Sequence, residues 1–201
     1  MKVLIERQTR VFDDLFKIEE ALLQYEKFDG KMTPTLRRLK FDRGDSVAAL
    51  TFNTSTKRIV LVSQFRFPTY AKGPGWTSEI VAGMTDSNET SETAMRRELL
   101  EETGYRALRL ERIATFYLSP GGSSERVFLY YVEVDNSQKV ESGGGLKSAG
   151  EDTKVIELSL DEVLRQIQIG TIADAKTIVG VFWLRNRLDA QPTSITGPDV
   201  Q

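Results

Sequence analysis

The sequence predicts an α/β (α+β) chain, one mixed domain preceded by a small N-terminal β element, and three observations carry that reading. Runs rich in Val, Leu, Ile and Phe recur at strand length, as at Ser46–Phe52 and Arg58–Phe67. Capping signals mark helices between them: Thr90 before and Gly104 after a run of strong helix formers, and Ser159 with Glu162 as a capping box. Finally, 201 residues, 40% of them hydrophobic, can bury a core without covalent staples.

In chain order, residues up to Gly44 alternate charged and apolar side chains around Asp29-Gly30, a turn signal. Ile18, Leu22 and Tyr25 suit a helix face, but the neighbouring turn favours strands. Polar Asn53-Thr54-Ser55-Thr56 joins the two apolar runs into a hairpin. Pro68, Gly73-Pro74-Gly75 and Trp76 read as a loop, and Ser78–Ala82 as a short strand ending at Gly83. Thr90–Thr103 is the clearest helix. Strands follow at Leu108–Tyr117 and Arg126–Val134, flanking Ser119-Pro120-Gly121-Gly122. A flexible stretch, Asp135–Gly150, leads to a strand at Lys154–Leu158, a helix ending at Gly170 and a last helix over Asp174–Leu188. From Ala190 on, the polar, Pro-containing tail is expected to be disordered. The expected division is therefore 1–44, 45–190 and 191–201.

Composition removes whole classes of chemistry. With no Cys and no His, disulfides, zinc fingers, thiolate nucleophiles and Ser-His-Asp relays are excluded. Catalysis must run on carboxylates, lysines, hydroxyls and bound ions. Twenty-seven basic against 29 acidic residues give a net charge of −2, so no global field gathers nucleic acid or anionic membrane. No apolar run approaches the ~20 residues of a membrane span, and Met1–Arg10 lacks a signal-peptide core. A cytoplasmic protein with neither nucleic-acid nor membrane partners is expected.

The chemistry concentrates on the Thr90 helix. Glu98, Glu101 and Glu102 stand at spacings of three and four, so their carboxylates share one face, with Arg96 and Arg97 before rather than among them. Hard divalent cations prefer such oxygen ligands. Taken alone, the cluster is equally a solvated acidic face.

The surrounding segment, Gly83–Tyr105, resembles the Nudix box, G-x5-E-x7-R-E-U-x-E-E-x-G-U with U a bulky apolar residue. Gly83, Glu89, Arg97, Glu98, Leu99, Glu101, Glu102 and Gly104 all fall in register, and Tyr105 loosely meets the last position. At ordinary residue usage, a chance match anywhere in a chain this long is on the order of one in a million. The resemblance implies the Nudix fold, a mixed β-sheet core between helices, and hydrolysis of a nucleoside diphosphate linked to another moiety with two or three Mg²⁺ or Mn²⁺ ions. It implies Glu98, Glu101, Glu102 and the Ala82 carbonyl as metal ligands, with Arg97 and Glu89 as a supporting ion pair. Bound metals would neutralise the diphosphate, acidify the attacking water and hold in-line geometry.

Beyond the box, segments spread over Arg37–Leu188 resemble the ADP-ribose and nucleoside-diphosphate-sugar pyrophosphatases, including the GDP-mannose hydrolase type. They include Arg37-Arg38 before Asp42-Arg43-Gly44, Gln64-Phe65-Arg66, Ser119–Arg126, Gly144-Gly145-Leu146 with Glu151-Asp152, and Asp174-Ala175-Lys176-Thr177. The resemblance implies that Arg38 and Arg66 contact the base and diphosphate, Met84 and Glu125 the distal sugar side, and Lys176 a further polar group. Read without it, Arg66 is a strand-end arginine, Lys176 a solvated lysine and Phe16 a core aromatic, although Phe16 also suits stacking on a base. With no histidine present the general base should be a carboxylate, and Glu151, the first acid after the glycine-bearing loop, is the candidate. The resemblance also implies a homodimer in which the N-terminal element contributes to the partner's base pocket; a short sheet with exposed edges needs such covering. A nucleoside triphosphate hydrolase and a non-catalytic nucleotide-sugar sensor are the alternatives.

Overall fold

The computed structural model describes residues 1–145, 150 and 152–190. At the N-terminus, β1 (Val3–Asp13), β2 (Lys17–Tyr25) and β3 (Leu36–Asp42) form an antiparallel sheet in that order. Strand wins over helix here because each segment finds a ladder partner, and Gly30, at φ 80°, closes the turn with its N–H on the Lys27 carbonyl. The far end of β3 is stitched to the loop after Tyr117. The Phe41 N–H donates to the Gly122 carbonyl (2.8 Å) and the Ser124 N–H to the Phe41 carbonyl (3.1 Å).

The second sheet is mixed. It comprises β4 (Ser46–Asn53), β5 (Arg58–Phe65), β6 (Trp76–Glu79), β7 (Val81–Met84), β8 (Arg109–Tyr117), β9 (Arg126–Val134) and β10 (Lys154–Leu158). The order is β10-β5-β4-β9-β8, with β4 and β9 parallel, β6 beside β5 and β7 beside β4. Helices α1 (Phe67–Tyr70), α2 (Ser91–Thr103), α3 (Leu160–Gln168) and α4 (Ala175–Asp189) complete the described chain.

The continuous apolar runs of β4 and β5 follow from burial on both faces. Val47, Ala49, Val60 and Val62 pack on one side with Ala94, Met95 and Leu99 of α2. Ala48, Leu50, Ile59 and Leu61 pack on the other with Val163 of α3 and Val181 and Leu184 of α4. The sheet therefore lies between helices, as the expected fold class requires.

Several local expectations are corrected. The strand expected at Ser78–Ala82 is two strands, because the chain changes neighbour at Ile80: β6 pairs with β5 and β7 with β4. The Ile80 N–H is taken by the Thr177 hydroxyl at 2.9 Å. Gly83 lies inside β7 rather than after it, and Trp76 belongs to β6 rather than to a loop. The Pro68 loop opens with the one-turn α1, whose first turn holds the proline. The described part of Asp135–Gly150 contains a 3₁₀ turn at Asn136–Gln138 and is tied to α2. The Gly144 and Gly145 N–H groups donate to the carbonyls of Glu102 (2.9 Å) and Glu101 (3.1 Å). The tail assignment, 191–201, lies outside the described residues.

Candidate active site

The acidic helix is fixed at both ends by its own sequence. The Thr90 hydroxyl accepts from the Thr93 N–H at 3.2 Å, and Gly104 turns left-handed at φ 73° with its N–H on the Leu100 carbonyl (2.8 Å). Across the loop, Gly83 of β7 makes room for the helix, since any Cβ there would collide with the Glu98 carboxylate. Arg97 is the hub of the connection. It reaches Glu89 at 2.7 Å, Glu98 at 2.8 Å and Glu101 at 3.2 Å, and its Nη2 donates to the Met84 carbonyl at 3.3 Å. The hydrogen bond to Glu89 above all, against the opposing effect of burial, raises its pKa above arginine's ordinary value.

Glu102 is different. It is 6% exposed, and its Oε2 is buried without a hydrogen-bond partner. Burial, followed by the charges of Glu98 and Glu79, pushes its pKa up to about 8, despite Arg66 and a hydrogen bond from the Ala82 backbone. A carboxylate in this condition is short of positive charge, and the donors around it are oxygens, a set that suits a hard divalent cation. The three helix carboxylates do not form one cage, however. Among the described residues no three acidic side chains converge as a metal site, because Arg97 supplies countercharge to Glu98 and Glu101.

Glu98 and Glu102 line a cavity of about 600 Å³ together with Ala82, Gly83 and Met84. A second wall is cationic. Arg66, after β5, donates through Nε to the buried Glu79 (2.7 Å), and Lys176, at the start of α4, lies 2.6 Å from Asp174 and 3.6 Å from Glu79. A third corner holds Phe16, Arg43, Ser46 and Glu125. Here the Ser46 hydroxyl donates to Glu125 at 2.8 Å, while Arg43 lies 3.8 Å from Glu125 and 5.7 Å from the Phe16 ring centre. One cavity thus presents carboxylates able to hold cations beside cations able to hold phosphate.

Of the residues singled out in the sequence, Phe16, Arg66, Ala82, Met84, Glu98, Glu102, Glu125 and Lys176 line this cavity. Glu101 and Arg97 do not; they stand behind it in the ion-pair hub. Arg38 is not brought in either: it is exposed on β3, donating to the Arg37 carbonyl. Glu151 lies outside the described residues. Glu79 is a site residue that the sequence did not single out, while Arg43, in the cavity wall, and Asp174, beside Lys176, stood in the resembling segments without an assigned role. For Glu79 the available signal was a carboxylate beside the apolar pair Ile80-Val81, where charge is costly unless paired.

The NUDIX domain profile matches residues 42–178. The GDP-mannose pyrophosphatase of Cronobacter sakazakii is 34% identical over 169 residues, covering 83% of this chain and 86% of the relative. That of Escherichia coli K12 is 33% identical over 175 residues, covering 86% and 90%. The crystal structure of an ADP compounds hydrolase superposes with a TM-score of 0.72 at 19% identity, covering 96% of this chain and 97% of its own, which supports the fold. With the box in register on β7 and α2 and the profile spanning most of the described fold, the chain belongs to the NUDIX domain family.

Proposed function

We propose that this protein is a divalent-metal-dependent pyrophosphohydrolase of nucleoside diphosphate sugars, cleaving between the two phosphates to give a nucleoside monophosphate and a sugar phosphate. The observation that carries it is the pairing in one cavity of Glu102, buried with an orphan oxygen, and the cations Arg66 and Lys176. GDP-mannose is the first substrate to test, because relatives spanning most of the chain bear that name, and ADP-ribose is the second.

Glu98, Glu102 and the Ala82 carbonyl would hold Mg²⁺ or Mn²⁺, with Glu101 recruited from the Arg97 hub. Bound metal supplies charge neutralisation of the diphosphate and a water acidic enough to attack. Arg66 and Lys176 orient the diphosphate, Arg66 through the planar fork that matches phosphate oxygens. Glu125, Ser46 and Met84 face the sugar, and Phe16 stacks on a ring of the ligand. Glu151 is proposed as the carboxylate that accepts the proton of the attacking water, since no imidazole exists to do so.

Residues 1–44 are proposed as a dimerisation element and 45–190 as the catalytic domain. Every residue of β1 is exposed, and Val3, Leu4, Ile5, Val11 and Phe12 are each more than half uncovered (51–58%). A second copy of this chain would cover them and would place Arg38 in the partner's pocket. Among the described residues no helix is long and apolar enough to cross a membrane. The test is a panel of GDP-mannose, ADP-ribose, ADP-glucose, UDP-glucose and nucleoside triphosphates with Mg²⁺, Mn²⁺ or a chelator. Metal-dependent turnover of a nucleotide sugar is expected, and preference for a triphosphate would overturn the assignment.

A further inference from the structure

We infer that Glu79 is a positioning residue, whose buried carboxylate aims the Arg66 guanidinium and the Lys176 ammonium at the diphosphate of the substrate. Glu79 ends β6, where the chain crosses from β5 to β4, and its side chain is 5% exposed. Oε1 accepts from Arg66 Nε at 2.7 Å and from the Thr77 hydroxyl at 3.1 Å; Oε2 is 3.6 Å from Lys176 Nζ. Gripping a guanidinium through Nε leaves its two terminal nitrogens for a ligand, the edge that pairs with two phosphate oxygens.

The lysine is held from the same point. Asp174 caps α4, its Oδ2 accepting from the Thr177 N–H (2.9 Å) and hydroxyl (2.7 Å), while its Oδ1 is 2.6 Å from Lys176 Nζ. That Thr177 hydroxyl also accepts from the N–H of Ile80, the residue after Glu79. A closed circuit, Glu79 to Ile80 to Thr177 to Asp174 to Lys176 and back, therefore locks the N-terminus of α4 to the end of β6.

Stability alone does not call for this carboxylate. Burying an anion in the cavity that also holds Glu98 and Glu102 is costly, and well-packed apolar residues replace buried ion pairs at little or no loss. The arrangement makes sense for two cations that must stand ready in a partly dry cavity. Burial works against the Arg66 charge, and Glu79 foremost, with Glu102 and Asp174, more than offsets it, leaving the pKa above arginine's ordinary value.

The inference rests on the proposed hydrolase reading, so its test includes a readout without turnover. Binding of inorganic pyrophosphate with Mg²⁺ is measured by calorimetry on the full chain, alongside KM and kcat for GDP-mannose, for wild type, Glu79→Ala, Arg66→Ala and the double variant. Glu79→Ala is expected to weaken pyrophosphate binding and raise KM by ~10-fold or more, with kcat changed less than ~3-fold and the Mg²⁺ requirement unmoved. In the Arg66→Ala background the same change should cost under ~3-fold, because the closer of Glu79's two cation contacts, 2.7 Å against 3.6 Å to Lys176, is then already gone. If Glu79→Ala fails to fold, Glu79→Gln, which keeps an acceptor for Nε, should show a smaller loss of the same sign. Fully multiplicative losses in the double variant, or a fall in kcat at unchanged pyrophosphate affinity, would overturn it. Wild type that binds pyrophosphate but hydrolyses no nucleotide sugar would overturn the hydrolase reading while leaving the cycle readable; wild type that binds none would count against both.

Discussion

The two sheets are built from similar residues and finish in opposite conditions. In β4, Val47, Ala48, Ala49 and Leu50 are fully buried, covered on one face by α2 and on the other by α3 and α4. In β1, no residue is buried at all, although Val3, Leu4, Ile5, Val11 and Phe12 are as apolar. The mixed sheet is complete within one chain and carries the charged cavity. The N-terminal sheet has a ladder without a cover, and its apolar side chains are the surface that the proposed second copy would bury.

The largest expected effect falls on the complete sheet's site. Glu102→Gln should lower kcat by ~10² or more with the fold intact, and Glu101→Gln, behind the cavity, should do less. Equal and near-normal turnover in both would remove the distinction between the lining carboxylate and the one in the Arg97 hub. Next comes packing: Leu50→Ala should destabilise by ~3 kcal/mol in denaturant unfolding, while Leu4→Ala in dilute protein should stay within about 0.5 kcal/mol. Comparable losses would mean that β1 is already packed. Leu4→Asp combined with Phe12→Asp should then give monomers in sedimentation velocity and raise KM several-fold, whereas a wild type that is itself monomeric would leave β1 without its proposed role.

The smallest effect is a pH dependence. Glu102 is held at about 8, above the ordinary 4.5, by burial first and by Glu98 and Glu79 next. In chelator, the folded protein keeps a proton that the unfolded chain has released. Stability should therefore be fully present below about 4.5 and be lost as pH rises toward 8. Glu102→Gln should flatten that slope in melting temperatures, and a wild-type curve already flat would show Glu102 to be charged and compensated.

The contrast between the sheets also tracks what the sequence discloses. The acidic helix was readable to within a residue, because Thr90, Glu92 and Gly104 act on their own neighbours. The exposed β1 and the split at Ile80 were not, since which strand a segment pairs with is decided by residues far along the chain. Box carboxylates announce themselves by spacing. Glu79 does not: its function is set by Arg66 on one element and Lys176 on another. Arg38 shows the converse, a residue picked out by its neighbourhood in sequence that one chain leaves outside its own cavity.

The most direct measurement is the identity of the products. GDP-mannose is hydrolysed with Mg²⁺ in ¹⁸O-labelled water and the products are resolved by ³¹P NMR and mass spectrometry. Expected are GMP and mannose 1-phosphate in equal amounts, one of them carrying a single labelled oxygen, with the reaction abolished by chelator and depressed in Glu102→Gln. Inorganic phosphate or pyrophosphate as the first product, or turnover indifferent to Glu102, would contradict cleavage between the phosphates at this cavity.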